Sequence, residues 1–138
     1  KNIRGFSDLT RADIIFANRE KGSSRSVLLD RQLKASEISP EAISGYRNEL
    51  VSDYSTAAAV AGGQADTALG ESCAARSFPG LTFLPVCEET LYLILRSENL
   101  CAPGFQAVAD TIASENFRRT LSLQTGYDTS HTGEIITL

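Results

Sequence analysis

Methionine is absent from the 138 residues, histidine occurs once and cysteine three times. A natural cytosolic chain opens on methionine. A chain that begins at Lys1 and contains none is therefore expected to be a fragment of something longer, or a processed product. The lone His131 lies in a polar tail with no second histidine or cysteine at ligand spacing. That excludes a zinc-type centre and leaves a surface residue. Cys73, Cys87 and Cys101 are an odd count without metal-like spacing. They argue against a disulfide framework, fit a reducing compartment and read as small buried hydrophobes. No apolar run approaches the roughly 20 residues that span a bilayer, and no signal-peptide pattern opens the chain. A cytoplasmic location is expected, with the periplasm as the alternative, and no membrane partner.

Positive charge is also scarce: 13 Lys and Arg against 17 Asp and Glu give a net charge of −4. This excludes a general nucleic-acid or membrane-surface binder; DNA would be reached only through a separate domain outside this chain. Catalytic signatures are missing as well. There is no nucleophile elbow and no Ser-His-Asp order. The glycines of GGQADTALGES (62–72) lack the lysine and spacing of a phosphate-binding P-loop. Glu88 and Glu89 are adjacent in a strand-like segment and point to opposite faces rather than forming an acid–base pair. Nothing in these residues argues for an enzyme. What is present is ordinary globular material, 42% hydrophobic and 22% charged, enough for one domain or two small lobes.

Apolar runs of strand length alternate with helical patterns. ADIIFANR (12–19) predicts a buried strand, with its centre at 13–18. SSRSVLLDRQLKAS (23–36) predicts an amphipathic helix over 24–35, capped by Ser23 or Ser24, with Val27, Leu28 and Leu33 as its apolar positions and Leu29 beside them. Ser39-Pro40-Glu41 reads as a helix start stopped at Gly45. YRNELVS (46–52) and ADTALGE (65–71) predict strands on either side of an Ala-rich helix, DYSTAAAVAGG (53–63), closed by Gly62 and Gly63. LTFLPVCE (81–88) and TLYLILRS (90–97) predict two strands nearly back to back. The pattern over 104–126 predicts a helix that divides near Ser114. Together these predict an α/β domain with a mostly parallel sheet flanked by helices.

In such sheets ligands bind outside the carboxyl ends of the strands. NREKGSSRS (18–26) lies at that end of the first strand, SDYST (52–56) at the second and GES (70–72) at the third. A helix start offers unpaired N–H groups and a positive dipole end. Gly22 lets the backbone approach closely, and Ser23, Ser24, Ser55 and Thr56 add hydroxyls. Arg19 and Arg25 carry forked guanidiniums suited to an oxyanion. The simpler reading is that the hydroxyls are only helix caps and that Arg19 holds loops together by pairing with a carboxylate such as Glu49 or Glu71.

The ordered set IRGFSDL (3–9), FANREKGSSRSVLLDRQL (16–33), ISGY (43–46), AAAVAGGQADTALG (57–70), LTFLPVCEE (81–89) and GYDTSHTGEI (126–135) resembles the PBP-like domain family, related to periplasmic molybdate-binding proteins. That family has a segment like NRxxGSGTRxLLD, then AVAAAVASGxADAGLG, then GYDxxxTGxI. The resemblance covers nearly the whole chain. It implies the type II periplasmic-binding-protein fold, two α/β lobes with ligand between them. One complete lobe would run over about 10–87. A crossing strand and the C-terminal helices of the other lobe would lie over about 88–138, with most of that other lobe upstream of Lys1. Asn18, Arg19, Gly22, Ser23, Ser24 and Arg25 match the family's first loop. The family often has a Thr-His-like pair where Ser52 and Asp53 stand, and a Tyr-Asp pair where Leu91 and Tyr92 stand. The implied function is non-catalytic binding of a small oxyanion such as molybdate, tungstate or sulfate, with no other cofactor, in a transcriptional regulator's sensor or a solute-binding protein. The alternatives are a domain attached to an enzyme of molybdopterin biosynthesis and an interaction module that has lost its ligand. A chain lacking most of one lobe should expose apolar surface around 82–97 and form a homodimer or a swapped arrangement there.

Overall fold

The computed structural model describes residues 1–99, 101–124 and 126–136. It divides into two compact units, Lys1–Pro85 and Val86–Leu138. In the first unit, strands β1 (Phe16–Arg19), β2 (Glu49–Leu50) and β3 (Thr67–Ala68) are each followed by a helix: α1 (Ser24–Ala35), α2 (Asp53–Ala61) and α3 (Ser72–Arg76). The strands form one parallel sheet in the order β2-β1-β3. Asn18 stands beside Glu49 and Arg19 beside Leu50 on one side of β1; Phe16 stands beside Thr67 and Ala17 beside Ala68 on the other.

Central strand β1 is buried on both faces over Phe16, Ala17 and Asn18. Its alternation assigns the layers. Phe16 joins Leu9, Ile14, Leu29, Leu33 and Ile43 in one cluster, which α1 covers. Ala17 joins Ala59 and Ala65 in a second, which α2 covers. The small side chains on the α2 side let that helix lie close to the sheet. Leu29 and Leu33 are almost fully buried, so truncating either to alanine should cost about 2–5 kcal/mol. The buried row of α1 is Arg25, Leu29, Leu33, spaced one turn apart, so Arg25 continues the core face to the sheet edge. Val27, expected among the apolar positions, is 58% exposed instead.

Ser23 caps α1 by accepting from Ser26 N, and Ser52 caps α2 by accepting from Ser55 N. Helix α2 ends at Gly62 as expected, with Gly63 at φ 73°. The Pro40 start yields only a 3-10 turn, Pro40–Ala42. Gly45, at φ 87°, turns the chain so tightly against β1 that a Cβ there would lie 2.2 Å from Phe16 O.

In the second unit, α4 (Pro103–Ala113) and α5 (Glu115–Ser122) divide at Ser114, whose hydroxyl accepts from Phe117 N. The predicted strands over 81–88 and 90–97 are not formed; residues 81–96 carry neither helix nor strand. A strand is completed only by a neighbour that takes its N–H and C=O groups. The described residues supply no neighbour, and Leu91, Tyr92, Leu93 and Ile94 are all exposed. The cysteines also depart from expectation, since Cys87 and Cys101 are exposed and Cys73 is half-buried. Among the described residues no helix is long and apolar enough to cross a membrane.

Candidate functional site

Because the three strands are parallel, the starts of α1, α2 and α3 open on one edge of the sheet. The Asp53 carboxylate, on the first residue of α2, ties all three there. It pairs with Arg19 Nη1 from the end of β1 and lies 3.3 Å from Arg25 Nε in the first turn of α1. It also accepts from Glu71 N, 3.2 Å away at the start of α3. Arg25 Nη2 completes the ring with Glu71 Oε1 at 2.8 Å. The Arg19, Arg25 and Asp53 side chains are 14%, 10% and 13% exposed. Charges this far from water need partners, since an unpaired one would cost several kcal/mol.

Arg19 is held at every nitrogen of its fork. Nε donates to Leu50 O at 3.1 Å, Nη2 donates to Val51 O at 3.1 Å and pairs with Glu20 Oε1 at 2.9 Å. Burial works against its charge, but the bonds to Glu20 and Asp53 prevail and raise its pKa above the usual guanidinium value. Glu20 Oε2 is buried without a partner among the described residues. Arg19 thus holds the loops together, but through Asp53 and Glu20; Glu71 is held by Arg25, and Glu49 accepts from Lys21 N at 3.2 Å.

The other residues singled out in the sequence fall at the same edge. Asn18 is buried, and its amide donates to Tyr46 O at 2.8 Å while its carbonyl accepts from Arg19 N at 2.9 Å. Gly22, at φ 90°, donates its N–H to Ser26 Oγ at 3.0 Å. The Ser23 hydroxyl accepts from Ser26 N at 3.2 Å. Ser55 Oγ donates to Ser52 O at 2.7 Å, and Thr56 Oγ1 donates to Asp53 O at 2.9 Å. The Ser23 and Ser55 hydroxyls act as caps, Ser55 by accepting from Ser52 N at 3.0 Å, whereas Thr56 bonds back within the first turn of α2. Ser24 differs: it is exposed, and neither its hydroxyl nor its N–H has a partner among the described residues. The N–H groups of Asp53 and Tyr54, at the start of α2, are likewise unpartnered there. Sequence reasoning did not find the role of Asp53; the available signal was a lone acidic residue at a helix start opposite two arginines one loop away.

A family model described as PBP superfamily domain matches residues 1–113. The chain belongs to this PBP-like family. Among curated relatives, the uncharacterized protein YvgK of Bacillus subtilis (strain 168) is 38% identical over 136 residues, 99% of this chain. The chain spans only 43% of that protein's length. An uncharacterized protein in the ferredoxin 2Fe-2S gene 5' region of Clostridium pasteurianum is 35% identical over 111 residues, 80% of this chain and 98% of that one. No solved structure matches significantly. The PBP-like match takes in the whole of the Asp53 network and its three loops. Among the described residues no group of three or more His, Cys, Asp or Glu side chains is placed to hold a metal ion.

Proposed function

We propose that the chain is the non-catalytic ligand-binding part of a type II PBP-like protein, and that its ligand is a small oxyanion such as molybdate, tungstate or sulfate. Residues of about 10–87 form one lobe, and those from about 88 belong with the other. The supporting observation is the pair of helix starts on adjacent parallel strands, α1 and α2, joined side by side through Arg19, Asp53 and Arg25. Unpartnered N–H groups of Ser24, Asp53 and Tyr54 and the Ser24 hydroxyl face the ligand, while Gly22 keeps the approach open. Tetrahedral anions are held well by such neutral donors without full counter-charges. In this arrangement the arginines position the donors and Asp53 neutralises them. Ligand closure then changes the geometry passed to a sensor's effector domain or a transport partner.

Asp53 itself favours a second reading. It already occupies both guanidiniums, as a protein that has lost its ligand and kept the scaffold would. Calorimetric titration with molybdate, tungstate, sulfate and phosphate separates the two. Saturable one-to-one binding of at least one anion is expected, weakened about tenfold in Ser24→Ala by loss of one hydrogen bond. No heat with any of the four selects the ligand-free scaffold.

A further inference from the structure

We draw no further inference here: the strongest candidate, the side-chain cluster of Arg19, Arg25, Asp53 and Glu71 at the carboxyl edge of the sheet as a selector of ligand charge, belongs to the site already described and rests on helix starts at which no second observation points to a ligand.

Discussion

Arg19 at the end of β1 and Asp53 at the start of α2 form an ion pair whose side chains are 14% and 13% exposed, and Arg25 reaches the same carboxylate from α1. One carboxylate thereby fixes two helix starts at a common edge. Replacing it takes one carboxylate from two nearly buried guanidiniums, leaving Arg19 with Glu20 and Arg25 with Glu71. Asp53→Asn should therefore destabilise the fold by about 3 kcal/mol in urea denaturation. A loss under about 1 kcal/mol would mean that water screens the pair.

The serines should separate by role. Ser23→Ala removes the hydroxyl that accepts from Ser26 N and should cost about 1 kcal/mol of stability. Ser24→Ala removes an exposed, unpartnered hydroxyl and should leave stability within about 0.5 kcal/mol while weakening anion binding. Equal stability losses in the two variants would place Ser24 among the caps.

Gly45 and Gly22 test close approach against conformation alone. Both have positive φ, 87° and 90°, but a Cβ at Gly45 would meet Phe16 O whereas the space at Gly22 is open. Gly22→Ala should cost about 1 kcal/mol, and Gly45→Ala should exceed about 2 kcal/mol because β1 must also move. Chemical denaturation of the pair measures the difference.

Tyr46 donates its hydroxyl to the Asp30 carboxylate. That bond, with burial and nearby acids behind it, pushes the phenol up to about 12. The folded value exceeds the unfolded one, near 10, so the contribution to stability is full below about pH 10 and is lost as pH rises through about 12. Of the four tyrosines, one should ionise late in an ultraviolet difference titration. Tyr46→Phe should abolish that step, and Asp30→Asn should return it toward pH 10.

Local chemistry made much of this legible from residues alone. The β1–α1 unit, the Ser23 cap, the Gly62 stop and the division at Ser114 all rest on short-range rules of capping and burial. Strand ends were less legible. YRNELVS and ADTALGE shrink to Glu49–Leu50 and Thr67–Ala68 because a ladder extends only as far as its neighbour does. For the same reason LTFLPVCE and TLYLILRS have strand composition without strands. At the site, the three loops were found from the alternation of elements. The partner of Arg19 was not, because Glu49, Asp53 and Glu71 are equally acidic in sequence and only the sheet order β2-β1-β3 decides which one each arginine reaches.

The most direct test of the anion site follows amide signals of the isotopically labelled chain by nuclear magnetic resonance during titration with tungstate, with chloride as control. The account expects the N–H signals of Ser24, Asp53 and Tyr54 to shift together and saturate at one equivalent, with Arg19 and Arg25 side-chain signals changing less. Tungstate that leaves those three amides unmoved, or moves only signals elsewhere, would contradict it.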